Sequence, residues 1–233
     1  WGHTAETYCK RARREGIKME RIICLAIGYL FGMFQTSYII GKIHHMDIRQ
    51  YGSGNAGTTN ALRTLGKKAG AMTLIGDMLK CVIAILIVDA VFKNRYQEIL
   101  PLLGMYTAAG CVLGHNFPFY LGFRGGKGIA ASAGMLLAMD WRVFLICAVI
   151  FIGLVAITRY VSLGSMAAYA GALVCFIGFG AVGSYGMDFP HTLEMDVIMG
   201  LMTALAIYRH RANIYRLLNG TENKLGAAKT AAK

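Results

Sequence analysis

An all-α, polytopic integral membrane bundle of about seven transmembrane helices, with short motif-bearing loops, is the fold class this sequence predicts. Three observations lead there. Of 233 residues 56% are hydrophobic and only 15% are charged, an apolar share above that of an ordinary soluble domain. Long apolar runs recur along the chain. Basic residues collect on alternate connections between those runs, as they do where a bilayer fixes the orientation.

The runs are read at about residues 22 to 43, 69 to 92, 99 to 117, 129 to 139, 143 to 158, 161 to 183 and 195 to 208. Several reach the ~20 residues that carry a helix across a hydrocarbon core. The runs at 129 to 139 and 195 to 208 fall short. They either borrow length from glycine-rich flanks or pack inside the bundle, so the count is seven spans, or five if neither crosses. A cleavable signal peptide is not expected, because the first run exceeds the usual apolar core and lacks a small-residue cleavage pattern. Residues 1–18 read as an extension, 19–222 as the membrane domain and 223–233 as a tail.

One side of the bundle receives Lys42, Arg49, Arg63, Lys67, Lys68, Arg124, Lys127, Arg159, Arg209, Arg211, Arg216, Lys224, Lys229 and Lys233; the other receives Lys93, Arg95 and Arg142 and the acidic stretch Asp188 to Asp196. The positive-inside rule makes the first side cytoplasmic, with the C-terminus inside and the N-terminus outside. The run Lys10, Arg11, Arg13, Arg14, Lys18 and Arg21 opposes that assignment. Overall, 24 Lys and Arg face 12 Asp and Glu, which favours anionic partners. Nucleic acid is excluded as one, since the cations are dispersed among apolar segments rather than gathered on a polar face. Six cysteines spaced 15 residues or more apart form no C-x-x-C site and read as packing residues.

Every unusual motif falls on the basic side. In "YGSGNAGTTNALRTLGKKAG", residues 51 to 70, Gly52, Gly54 and Gly57 spell G-x-G-x-x-G, but a dinucleotide site needs a preceding strand and here an apolar span precedes. What survives is an anion cradle: glycines admit close backbone approach, Ser53, Asn55, Thr58, Thr59 and Asn60 add donors, and Arg63 offers a fork for two phosphate oxygens. "LGHNFPFYLGFRGGKGIA", residues 113 to 130, places His115 at a span end and Arg124, Gly126 and Lys127 before a small-residue helix. "RYVSLGSM" contributes Ser162, and "YRHRANIYRLLNGTE" is a basic amphipathic helix in which Arg209, Arg211 and Arg216 suit lipid head groups while Asn213 is left over. Asp77 and Lys80, three apart on the second span, either pair within the bundle or lend charge to the cradle floor.

"GSGNAGTTNALR", "GHNFPFYLGFRGGKGIA", "RYVSLGS" and "HRANIYRLLNGTE", in this order between apolar spans, closely resemble the PlsY family of bacterial acyl-phosphate:glycerol-3-phosphate acyltransferases, from about Met19 to Glu222. The resemblance implies a seven-span enzyme of the bacterial plasma membrane with its site at the cytoplasmic face. It would transfer a fatty acyl group from acyl phosphate to the 1-hydroxyl of glycerol-3-phosphate, giving lysophosphatidic acid for phospholipid synthesis. Its partners would be these two substrates, membrane phospholipids and, functionally, the enzyme that makes the acyl phosphate. Carried over by motif, Ser53, His115 and Asn213 are the catalytic candidates. Gly54, Asn55, Gly57, Thr59, Arg63, Gly126, Lys127, Ser162 and Lys80 are the phosphate-binding ones. Ala56 and Arg124 stand where many members have Pro and Lys, and both keep the physics of a tight loop and a cation.

Phosphate is a good leaving group, so the chemistry asks mainly for alignment and charge stabilisation. No motif sets a carboxylate beside His115, which leaves two readings: His115 as positioning donor or weak base, or a phosphate oxygen of the donor as proton acceptor. No cofactor or metal is expected, because Asp47, Asp77 and Glu222 are scattered. "HTLEMD" sets His191 and Asp196 in the H-x-x-x-x-D spacing of another class of glycerolipid acyltransferases, but on the opposite side, and reads as chance. A transporter of a phosphorylated solute is the competing class, supported by the Asp77 and Lys80 pair and opposed by the one-sided motifs.

Overall fold

A computed structural model describes residues 19–226. The cations from Lys10 to Lys18 and those at 229 and 233 lie outside the described residues. Within them the chain is helical, with no strand. Helix α1 covers residues 19–32 and α2 Thr36–Ile43; after a 3-10 turn at Ile48–Gln50 come α3 (Thr58–Leu65) and α4 (Lys67–Phe92). Then follow α5 (Leu100–Asn116), α6 (Ile129–Met139), α7 (Trp141–Thr158), α8 (Val161–Ala181), α9 (Phe189–Arg209) and α10 (Arg211–Leu218). Four helical segments among the described residues are long and apolar enough to cross a membrane: Met19–Ile43, Lys67–Phe92, Trp141–Thr158 and Val161–Ala181. Large apolar side chains such as Leu30, Ile75, Leu86, Val149 and Leu201 point outward, the inside-out arrangement a lipid solvent favours.

The most buried element is α5, and it is reached by glycines. A Cβ added at Gly28 or Gly32 of α1 would fall on the Thr107 or Cys111 carbonyl of α5, and one added at Gly110 or Gly114 of α5 would fall on the Leu25 or Tyr29 carbonyl of α1. Two four-residue glycine spacings thus face each other and bring backbone against backbone, where dispersion drives helix association in lipid. The glycine pair of the first span therefore serves packing within the chain. Around this seam α4 packs against α5 and α6, α7 against α8, and α9 against α5 and α8.

Three features depart from the sequence reading. The first apolar run is broken at residues 33–35, and the freed carbonyls are taken up by side chains: Gly32 and Phe34 accept from Lys80 Nζ at 3.2 and 2.6 Å, and Met33 accepts from Tyr120 Oη at 2.8 Å. Non-helical backbone at membrane depth requires such partners. The last run begins at Phe189 rather than 195, because Asp188 caps the helix through His191 N–H, Pro190 sits in its first turn, and Glu194 is neutralised by Arg21 at 2.5 Å. That pair also absorbs one charge of the N-terminal basic run. Finally, the glycine-rich stretch after residue 51 is a loop only as far as Gly57, beyond which α3 forms.

Candidate active site

Asn60, in the first turn of α3, organises the loop before it. Its Oδ1 accepts the Ser53 N–H at 2.8 Å and its Nδ2 donates to the carbonyls of Ile48 and Tyr51, each at 3.0 Å. The sequence suggested a free donor for an anion; the structure uses all of that amide as a strut. Gly52 sits at φ +60°, and a Cβ there would collide with Asn60 Oδ1. Gly52→Ala is therefore expected to cost ~1–3 kcal/mol locally. It should raise the KM of the phosphate substrate about tenfold in steady-state assays. No side chain caps α3, so its first N–H groups stay available, and the Thr58 hydroxyl is buried without a partner.

The second loop folds back on the end of α5. Gly125 and Gly126 N–H groups donate to the Asn116 and His115 carbonyls at 3.2 and 3.1 Å. Arg209 Nη2 donates to the carbonyls of Gly125 and Gly126 at 3.3 and 2.8 Å, with its guanidinium over the Phe117 ring. Arg209, read from sequence as a lipid anchor, is the clamp of this loop. A Cβ on Gly126 would fall on His115 Nε2, so only glycine lets the loop lie against that ring.

The chain's end returns to the same place. After α10, Glu222 accepts at Oε1 from Ser162 Oγ (2.8 Å) and Asn213 Nδ2 (2.7 Å), and at Oε2 from Arg216 Nε (2.7 Å). This fixes Asn213 with its Oδ1 towards Lys127 Nζ, which donates to it. Asn223 O accepts from Arg63 at 3.3 Å, and Leu225 exchanges backbone and guanidinium bonds with Arg159. Burial pulls the Lys127 ammonium down to a pKa of about 8; Glu222 opposes that shift, and Arg216, Arg209 and Arg63 add to it. His210, between α9 and α10, donates Nδ1–H to Ala206 O at 2.7 Å, and burial holds the ring neutral, with its pKa lowered to about 4. Its Nε2 is left as an acceptor.

Behind this mouth Lys80 Nζ lies 2.9 Å from Asp77 Oδ1 and 2.8 Å from His115 Nδ1, and both members of the ion pair are at most 4% exposed. A carboxylate does stand near His115, its Oδ1 3.9 Å from Nδ1. The sequence could not show it, because the approach comes from α4 packing on α5. Removing one partner of such a buried pair costs about 3–5 kcal/mol.

These parts surround one cavity of about 1330 Å³. Ser53, Gly54, Asn55, Gly57, Thr59, Arg63, His115, Lys127, Ser162 and Asn213 all line it; Gly126 and Lys80 stand behind its wall. One end is cationic and rich in N–H groups. The other runs between α6, α7 and α8 past Ala133, Phe144, Phe151, Ala168 and Ala172. A family model described as glycerol-3-phosphate acyltransferase matches residues 22–220. The chain belongs to that family.

Among relatives of this acyltransferase, a glycerol-3-phosphate acyltransferase of Clostridioides difficile is 49% identical over 89% of this chain and 97% of its own length. One of Lactiplantibacillus plantarum is 42% identical over 88% and 92%. The crystal structure of PlsY, an integral membrane glycerol 3-phosphate acyltransferase, in its glycerol 3-phosphate form matches with a TM-score of 0.75 at 34% identity, covering 88% of this chain and 96% of that one. Its lysophosphatidic acid form matches at 0.73.

The sequence reading of the acyltransferase missed His210 and the organising roles of Asn60, Arg209 and Glu222. Glu222 closes the fourth motif, and its place just beyond the basic helix that carries Asn213 was the available signal. His191 pairs with Asp188 at 2.6 Å rather than with Asp196, and neither His191 nor Asp196 lines the cavity.

Proposed function

We propose that this acyltransferase moves a fatty acyl group from acyl phosphate to the 1-hydroxyl of glycerol-3-phosphate, releasing inorganic phosphate and lysophosphatidic acid. The supporting observation is the single cavity with a cationic, amide-rich mouth and an apolar channel. Two phosphate-bearing reactants and one hydrocarbon chain need both surfaces in one space. Along α8 the channel wall from Ser162 to Ala172 is ~15 Å long, about the hydrocarbon depth of one leaflet.

Ser53, Asn55, the start of α3 and Arg63 form one anion-binding wall, and Lys127 the facing one, braced by Asn213, which Glu222 holds together with Ser162. Held between them, the 1-hydroxyl oxygen attacks the acyl carbonyl carbon. The carbon–oxygen bond to phosphate breaks, its electron pair leaves with the phosphate, and the hydroxyl proton ends on a phosphate oxygen. The protein's task is alignment and stabilisation of developing negative charge. The mouth faces the cytoplasm in a bacterial plasma membrane, as the distribution of basic residues favours.

Detergent-solubilised protein given acyl phosphate and glycerol-3-phosphate should form 1-acylglycerol-3-phosphate by mass spectrometry, with no product from acyl-CoA. Product from acyl-CoA alone would remove the donor assignment. Ala168→Phe, which fills the channel, is expected to shift the ratio of kcat/KM about tenfold towards shorter acyl phosphates. Cysteines placed at Lys224 and Lys93 should react with an impermeant thiol reagent from opposite sides of the membrane.

A further inference from the structure

The geometry assigns Asp77 and Lys80 as a positioning pair that holds His115 in one tautomer, protonated at Nε2, so that His115 presents a hydrogen-bond donor to an anionic oxygen in the cavity. This rests on the acyl-transfer reading of the site and adds to it the role of a buried ion pair whose lysine stands behind the cavity wall.

Lys80 Nζ has four neighbours within hydrogen-bond reach: Phe34 O at 2.6 Å, His115 Nδ1 at 2.8 Å, Asp77 Oδ1 at 2.9 Å and Gly32 O at 3.2 Å. Two are carbonyl oxygens and one is a carboxylate oxygen, none of which can donate. An ammonium group beside a buried carboxylate carries three N–H donors and no lone pair. Nδ1 must therefore offer its own lone pair, which leaves the ring proton on Nε2. The donor shortfall falls on the longest contact, and Gly32 O has a second donor in Gln35 Nε2 at 3.4 Å.

The rest of the ring's surroundings fit. Gln35 Nε2 donates to the His115 carbonyl at 2.9 Å and fixes the helix end. Thr36 Oγ1 donates to Asp77 Oδ1 at 3.0 Å and orients the carboxylate. Nε2 has no hydrogen-bond partner among the described residues, lies beside Gly126 and reaches the cavity that His115 lines. With α1 unbroken, the carbonyls of residues 32 and 34 would be spent inside the helix. The break is what lets Lys80 be held from two sides and aimed at Nδ1. His210, by contrast, has its Nδ1 proton committed to Ala206 O and offers an acceptor at Nε2. The two rings thus present opposite polarities to the same space.

The test is nitrogen NMR of the full chain with isotope-labelled imidazoles, the His115 signals being identified by their loss in His115→Gln. In the unsubstituted protein Nδ1 should be unprotonated and Nε2 protonated. In Lys80→Met the proton should move to Nδ1, facing Asp77, and kcat should fall about 100-fold while the KM for glycerol-3-phosphate changes less than about threefold. Lys80→Arg keeps a donor and should keep the tautomer and part of the turnover. A proton on Nδ1 in the unsubstituted protein overturns the inference whether or not any variant folds, and so does an unchanged tautomer in Lys80→Met. Failure to form lysophosphatidic acid with His115 protonated at Nε2 would instead remove the acyl-transfer reading and leave the positioning pair standing.

Discussion

Lys127→Met is expected to lower kcat/KM for glycerol-3-phosphate by on the order of 10³-fold with little change in thermal stability, the largest loss among single substitutions at the cavity. Lys127 is the one lysine of the facing wall; its ammonium reaches Asn213 and is crowded by arginines that share no acceptor with it. Methionine keeps the apolar stem and removes the charge. The overfull cation cluster becomes less repulsive, so the fold keeps its stability while the anion loses its partner. Lys127→Arg should recover part of the loss, because a guanidinium keeps charge but not the reach of a compact ammonium. Steady-state kinetics beside a thermal melt separate the two effects; a loss of both together would mean that Lys127 is structural.

The same residue sets an alkaline limit. Its pKa is drawn down to about 8, so the free protein carries the cation below that pH and loses it above. The pH profile of kcat/KM reports groups of the free enzyme, and it should fall by about a decade per pH unit beyond roughly 8. A bound phosphate dianion stabilises the ammonium, so the corresponding fall in kcat belongs at higher pH.

Glu222→Gln is the second large effect: kcat/KM should drop on the order of 10²-fold, and the melting temperature should fall with it. The carboxylate accepts three bonds through two oxygens, and an amide of the same shape offers one oxygen and one NH₂. If the amide oxygen faces Arg216, its NH₂ meets the Asn213 NH₂. Asn213 then has to turn over, and it points a donor at Lys127. Burial pushes the Glu222 carboxyl up, but the bonds from Asn213, Arg216 and Ser162, with the Arg216 charge, outweigh it and hold the group below the usual range. Its contribution is therefore complete at neutral pH and fades as pH falls through that lowered value. Activity and melting temperature within about twofold and a degree of the parent would sink this account.

The long helices were legible because lipid imposes a length and an apolar composition on a span, and the motif residues that line the cavity were legible because loop chemistry is local. Asp77 and Lys80 could be paired from their spacing on one helix; their third partner, His115, could not, since it arrives from another helix. The break in the first run left a trace in Gln35, Thr36 and Ser37, a polar triplet inside an apolar stretch. The length of the apolar run around it masks that trace. Asn60 and Glu222 were misjudged for the same reason: a sequence displays a side chain's donors and acceptors but not whether its own neighbours use them.

The segment after Glu222 lies outside the resembling motifs, yet it closes the mouth through main-chain atoms, Asn223 O towards Arg63 and Leu225 N–H and O towards Arg159. Latching of that kind makes little use of the side chains at 223 and 225, needs glycine at 226 where φ is +73°, and is sensitive to how many residues there are. Substitutions at 223 and 225 should be silent, whereas inserting or deleting a single residue would drag the acid out of register with serine and asparagine alike.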